Sequence, residues 1–560
     1  MRFRGVVLLA FILIFILLLS SCASIPGVID QTTPTPFQPE IVVDPNSEAE
    51  PVKLYLSNKA PPEWIDAINK FDNIALVDSE ETATLRMVTG TDHEGMNTLA
   101  AFEMVFAAAV PFFTIDDGID ADTLRSLWTG GNGESKSDVI LVTTESKSLL
   151  SGIWGEPGDQ VIISEASEML EVAEANPSSI AVIPFEQISP QWKILKIDGV
   201  SPLDKPFNQD KYPLIVTFRL VTEFEVTSEL DGLAARLREQ IPASNRDESK
   251  MTVLVMTGTT AITRGVAYKV TINDAEYPIA EVKDWFLDAD FRHVSNESPF
   301  VEDCPPPDPY ASSLVFCTAP EMIEVLENIG VNIVELSGNH IKDYLEENLL
   351  YTLSLYEERD WAYYAAGRNA DTARQPVLLE HNGNKLAFIG CNAVGPSSVW
   401  AREDRAGAAE CDLEYLTQTI ADLKDNGYVV VATFQHEELA KQDGAAAVYM
   451  YAEKISGDFK EVAEAGASIV QGSQAHYPMG FEFVGDSFIH YGLGNFLFDQ
   501  MWDPNRNEFI DRHIIYDGKY INTELLTAYL MDWSQPTPMD QESRERFLEE
   551  IFNASEKRSR

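Results

Sequence analysis

Two rhythms of apolar positions run along this chain, and they place its elements before composition is considered. Around Val331 the pattern is that of a buried strand, with Val331, Ile333, Val334 and Leu336 apolar. A helix is predicted just before it, from an apolar stripe of Met322, Leu326 and Ile329. Thr318 and Glu321 have the spacing of a capping box at its start, and Gly330 stands where a C′ glycine ends a helix. The strand runs into a small-residue turn that presents Asn339 and His340. Polar residues beyond the carboxyl end of a strand are where α/β folds gather ligands. Alone, the pair also fits a turn Asn and a His satisfied by backbone.

The same helix-then-strand rhythm recurs through the second half. A buried strand is predicted at Met251–Met256, a helix from Leu345, a strand at Trp361–Ala365 and a hairpin about Asn382-Gly383. A helix over Leu413–Leu423 feeds a strand at Tyr428–Phe434, and a helix over Phe459–Ala465 feeds Ala467–Gly472. A hairpin at Gly485-Asp486, strands at Phe509–Asp517 and Thr523–Asp532, and a helix at Glu542–Phe552 complete it. The first half alternates too. Strands are expected at Lys53–Ser57, Thr84–Val88, Asp138–Thr144 and Ile180–Phe185, and helices at Ala100–Ala109, Asp122–Trp128, Ala166–Ala175 and Ser228–Gln240. The polar run Ser244–Ser249 breaks the pattern and marks a boundary. The expected layout is 1–22, 23–51, an α/β domain at 52–245, a second at 250–535, and a tail at 536–560.

Composition narrows the class. Hydrophobic content of 45% and charged content of 23% are those of a globular protein. The net charge of −48 excludes nucleic acid as a partner, because a polyanion is bound through Lys and Arg that displace its counterions. That charge suits either a binder of cations or neutral wall components, or simply a self-repelling soluble surface. Arg2 and Arg4 precede an apolar run from Val6 to Leu19, and Ser20-Ser21-Cys22 follows. This describes a secretory signal; the alternative is an uncleaved N-terminal anchor. The segment 23–51, rich in Pro, Thr and Ser, reads as a tether.

Four further cysteines, Cys304, Cys317, Cys391 and Cys411, lie in what is then an exported chain. An even number outside the cytoplasm favours disulfides, here in the sequential pairing Cys304–Cys317 and Cys391–Cys411. A four-thiolate zinc site is the rival, and no C-x-x-C pair supports it.

Chemistry concentrates at strand ends. Thr259, His340, His436 and His476 each fall just past a predicted strand, which takes three of the eight histidines. Such convergence points to a polar site more strongly than any one residue does. His93, His293, His381, His490 and His513 read as turn or core residues.

Several motifs resemble known families. The Ser-Ser-Cys before and at Cys22 resembles the lipobox of bacterial lipoproteins, which implies that Cys22 is lipidated and that the chain is extracytoplasmic and membrane-anchored. In the first half, VPFFTIDDGIDADTLRSLWTG, IAVIPFEQISPQWKILKIDGVSP and DKYPLIVTFRL resemble segments of phosphate-type periplasmic solute-binding proteins. The nearest anion-cradling turn is Thr89-Gly90-Thr91, beside which Asp92 and Glu94 would repel an anion. In the second half, "G-T-x4-R" at Gly258–Arg264, SNESP, SGNHIKDY, QHEE, GSQAHYPMGFEF and YGLGNFLFDQ resemble the CapA family of poly-γ-glutamate and capsule synthesis proteins over about Thr252–Gln500.

That resemblance implies a four-layer, metallophosphoesterase-like α/β domain after the solute-binding-like one. It implies Glu297, Asn339, His340, His436 and His476 as catalytic residues, and His340, His436, His476 and Glu297 as ligands of one divalent metal ion. Two departures stand out: Thr259 replaces an aspartate usual in the family, and Gln474 replaces a histidine. The implied function is synthesis, anchoring or processing of an extracellular polymer (polyglutamate, capsule or wall peptide) through a degenerate hydrolase site. The alternative is a non-catalytic polymer- or solute-binding assembly protein.

Overall fold

Alternation along single strands builds the second half of the molecule into layers. In the strand Met251–Thr260, Leu254 and Met256 face a core shared with Leu386, Phe388, Val431 and Phe488. Val253 and Val255, on the opposite face, join a core with Val266, Val325, Leu349 and Leu353 of helices. On the second sheet, Ala387, Ile389, Val430 and Ala432 face Leu416, Ile420, Phe459 and Val462. The result is helix, sheet, sheet, helix: a four-layer α/β sandwich, as its sequence motifs imply. The computed structural model that gives this description covers residues 50–57, 60–90, 93, 95–131, 139–436, 449, 453–473 and 475–559.

One sheet has seven strands, ordered Ala362–Tyr364, Ile333–Glu335, Phe291–Asn296, Met251–Thr260, Asn507–Tyr516, Lys519–Met531 and Gln535–Pro538. The first four run parallel and the rest add antiparallel. The other has six, ordered Val377–His381, Asn384–Asn392, Val429–Gln435, Ile469–Gly472, Ser487–His490 and Phe481–Val484. Its four inner strands are parallel, so their carboxyl ends share one edge of the sandwich. The Asn382-Gly383 hairpin forms with φ of 51° and 76°, the left-handed pair of a type I′ turn. Gly330 ends its helix at φ 68°, as expected. The capping box does not form: Thr318 Oγ1 pairs with Ser298 Oγ at 2.7 Å, and a 3₁₀ turn at Pro320–Met322 leads into the helix Ile323–Asn328.

The first half is a nine-stranded mixed sheet with helices, including Ala121–Trp128, Thr144–Trp154 and Ser228–Gln240. Its longest strand corrects an expectation. Ala100–Ala109, predicted helical, lies within the strand Asn97–Pro111, which pairs with Ile215–Thr222 and then Trp192–Ile194 on one side and with Ser179–Pro184 on the other. Alanine favours a helix by only about 0.5 kcal/mol per residue over β-branched types. Pairing on both edges and burial of Phe102, Phe106 and Ala107–Ala109 override that preference.

Residues 51–560 form one compact unit. The ring of Phe112 meets Phe483 at 5.1 Å and Phe488 at 5.3 Å, and Asn522 Nδ2 donates to Trp192 O at 2.7 Å, so the halves interlock. Both disulfides form as expected, Cys304–Cys317 and Cys391–Cys411, with Cα–Cα distances of 5.9 and 5.0 Å. The histidines set aside above pack inside: His293 pairs with Tyr364 OH at 2.8 Å, His490 with Asp511 at 2.6 Å and His513 with Thr523 at 2.6 Å. His381 pairs with Thr252 at 3.1 Å, and His93 sits in a turn. Among the described residues, no helix is long and apolar enough to cross a membrane. Cys22 and its signal lie outside them, as do Thr91, Asp92, Glu94 and Gln474.

Candidate functional site

The centre of the site is Glu297, one residue past the strand Phe291–Asn296 and only 2% exposed. Its N–H donates to Thr260 O at 2.8 Å, which ties it to the end of the neighbouring strand. Gly338 packs directly on it: a Cβ there would lie 3.0 Å from Glu297 Cα and 3.1 Å from its Cγ. That close approach explains the glycine in SGNH. Glu297 Oε1 accepts from Gln435 Nε2 at 3.2 Å, and the same nitrogen donates to Asn339 Oδ1 at 2.7 Å. Asn392 Nδ2 donates to Gln435 Oε1 at 3.0 Å and to Ser337 O at 2.7 Å. Glu297 Oε2 is buried and has no hydrogen-bond partner among the described residues. An unmatched carboxylate oxygen in such a place is costly unless a ligand or proton meets it.

Strand register decides which neighbour reaches Glu297. Along Val429–Gln435, Val429 and Val431 face the inter-sheet core while Val430, Ala432 and Phe434 face the helices. Gln435 therefore falls on the inner side and His436 on the outer. His436 Nε2 pairs there with Asp458 at 2.8 Å, with its ring 6.1 Å from that of Phe459. The structure thus brings Glu297, Asn339 and Gln435 into one network and directs His436 toward the helical layer.

His340 Nδ1 pairs with Asp343 Oδ2 at 2.7 Å, and the Phe316 N–H donates to the same oxygen at 2.8 Å. Burial alone would lower the His340 pKa. The hydrogen bond that His340 donates to Asp343 and the charges of Glu297 and Asp343 outweigh burial and the opposing Arg264, so the net shift is upward. The Phe316 ring lies 4.5 Å from His340 and 5.7 Å from Phe498, and Phe498 lies 4.7 Å from His476. Arg264 reaches between them, 4.8 Å from Phe316 and 5.4 Å from Phe498, and is ion-paired with Asp499. His476 Nδ1 pairs with Asn495 Oδ1 at 2.9 Å. Thr259 Oγ1 donates to Ser473 O at 2.6 Å, so a carboxylate at that position would face a carbonyl oxygen.

The residues present do not fit the expected divalent metal. Among the described residues, no three His, Cys, Asp or Glu side chains are grouped to hold one. His436 is turned to the other face, away from Glu297, so the expected group of three histidines and Glu297 is not assembled. Sequence reasoning passed over Gln435, Asp343, Asn392 and Phe316. Counting alternate positions back from Gln435 along VVVATFQ would have found the first, and Asp343 stands within the SGNHIKDY block itself.

Comparison with known proteins agrees with the motifs. Residues 253–500 match the family described as bacterial capsule synthesis protein PGA_cap. The chain is 24% identical over 283 residues to the capsule biosynthesis protein CapA of Bacillus anthracis, covering 50% of this chain and 67% of that protein. It is 24% identical over 203 residues to the PGA biosynthesis protein CapA of Bacillus subtilis (strain 168), covering 36% of this chain and 52% of that one, about half its length. Among solved structures, an ABC-type phosphate transport receptor from Vibrio cholerae aligns at TM-score 0.28 and 15% identity, over 33% of this chain and 93% of that one. Over residues 253–500, somewhat under half of its length, the chain is therefore similar to the bacterial capsule synthesis proteins described as PGA_cap.

Proposed function

We propose that this chain is a cell-surface lipoprotein that works in the synthesis, anchoring or processing of a capsular polymer such as poly-γ-glutamate or wall peptide. Two relatives named for capsule and PGA biosynthesis support the polymer, and the signal ending at Cys22 supports the location. The observation that carries the site is the buried Oε2 of Glu297, which has no hydrogen-bond partner among the described residues. In this reading Glu297 Oε2 takes a proton from an attacking water or amine as that nucleophile bonds to an amide carbonyl carbon. The C–N bond then breaks, and the leaving amine takes a proton from His340, which Asp343 orients through Nδ1. Gln435 holds the carboxylate in place and is itself held by Asn339 and Asn392. No step uses a metal. With a net charge of −48 the protein repels a polyanion, so contact with polyglutamate should tighten as added salt screens that repulsion.

A second reading, that the site holds polymer without cutting it, draws on Thr259, whose hydroxyl is bonded to Ser473 O where the family usually carries a carboxylate. One experiment separates the two. The purified chain is incubated with poly-γ-glutamate, and polymer length and binding are followed together for the native protein and Glu297→Gln. The proposal expects length to change and Glu297→Gln to slow that change by about 10²–10⁴-fold with binding kept. Binding without any change in length selects the second reading. Unchanged turnover in Glu297→Gln removes Glu297 from the chemistry.

A further inference from the structure

Away from Glu297, where the two halves meet, lies a cavity of about 200 Å³. One part of its lining is apolar: Phe112, Leu526, Met539, Leu548 and Phe552. The other part is charged, with Asp117, Lys193, Lys196 and Arg544. Asp117 is shared by two cations. Arg544 donates to it through Nε and Nη2, both at 2.8 Å, and Lys193 Nζ lies 2.7 Å away. Lys193 also donates to Thr114 O and Ile115 O, each at 2.8 Å, which accounts for its three N–H groups. Arg544 Nη1, in contrast, is buried with no hydrogen-bond partner among the described residues. Glu524, which also lines the cavity, is ion-paired with Arg512 and so does not offset the excess. Lys193, Lys196 and Arg544 outnumber Asp117 and Asp116, whose charge also acts on Lys193, and so leave a positive charge over within a chain whose net charge is −48.

A partly open cavity, a guanidinium nitrogen with no hydrogen-bond partner among the described residues and apolar walls are the elements of a small-molecule site at a junction between halves. An apolar cavity of about 150 Å³ accepts benzene. One of about 200 Å³ therefore takes a ring or short alkyl chain together with a small anionic head. We propose that this cavity binds a small amphipathic monocarboxylate, with its carboxylate on Arg544 and its apolar body against Phe112, Leu526 and Leu548. Because its walls come from both halves, such a ligand would tie them together and stabilise the folded chain by mass action.

The probe is phenylacetate, with phenylacetamide as the neutral isostere, titrated calorimetrically into the full chain. The expected result is saturable 1:1 binding of phenylacetate and at least tenfold weaker binding of the amide. Arg544→Gln should bring acid and amide to parity. Leu526→Trp, which fills the cavity from its wall, should abolish both. If Arg544→Gln fails to fold, the acid–amide comparison and Leu526→Trp still decide. The proposal is overturned if the native chain binds neither compound, if it binds both equally, or if Leu526→Trp leaves phenylacetate binding unchanged.

Discussion

Glu508 should make the protein less stable as pH rises, and Glu508→Gln should remove that dependence. The residue sits in the strand Asn507–Tyr516 opposite Ala528, fully buried, and neither carboxyl oxygen has a hydrogen-bond partner among the described residues. Burial alone raises its pKa well above the ordinary 4.5. The folded chain therefore keeps a proton that the unfolded chain releases. The stability this group allows is fully present below the unfolded pKa and is lost as pH rises toward the folded one. The loss is about 1.4 kcal/mol per pH unit across that window. Glutamine copies the size and neutrality of the protonated acid but carries no titrating proton. Between pH 5.5 and 6.5 the stability of Glu508→Gln relative to the native chain should rise by about 1.4 kcal/mol, or tenfold in the unfolding constant. Every other titrating group cancels in that difference. Urea unfolding followed by tryptophan fluorescence, with disulfides intact, measures it at each pH. A gap that stays level from pH 5.5 to 6.5 would refute the reasoning, because it would mean that Glu508 is ionised in the fold or has a partner.

Two further outcomes follow from register and from the signal. Gln435→Leu deprives Glu297 Oε1 and Asn339 Oδ1 of their shared donor and should cost about 1–3 kcal/mol and at least tenfold in polymer turnover. His436→Gln, acting on the outer face, should cost about 1 kcal/mol and leave turnover intact; equal loss of turnover in both would contradict the assigned faces. Cys22→Ala should release the protein from the membrane fraction or leave it unprocessed, as read by fractionation and gel mobility. Retention in the membrane at unchanged mobility would rule out lipidation there.

What could be read from the chain, and what could not, divides along one physical line. Signals that depend on neighbours in sequence were legible: the glycine stop at Gly330, the Asn382-Gly383 turn, the helix-to-strand rhythm of the second half, and two short disulfide loops. Signals settled by partners distant in sequence were not. Ala100–Ala109 carries a local helix preference, yet its place between two strands of the sheet makes it β. Thr318 has a capping partner in sequence, yet Ser298, brought close by the fold, takes its hydroxyl. The site follows the same division. That Glu297, Asn339 and His340 stand at strand ends was visible from the motifs. Which residue of the Gln435-His436 pair turns inward was not, because a one-residue step along a strand exchanges the two faces, and the face is fixed only once Val429 and Val431 are packed in the inter-sheet core. A histidine draws the eye as a ligand whichever way it points; here the amide beside it makes the contact, and this takes His436 out of the expected metal group. The amide of Gln435 donates to Glu297, and His340 nearby is held by Asp343, an arrangement suited to holding a carboxylate and moving protons.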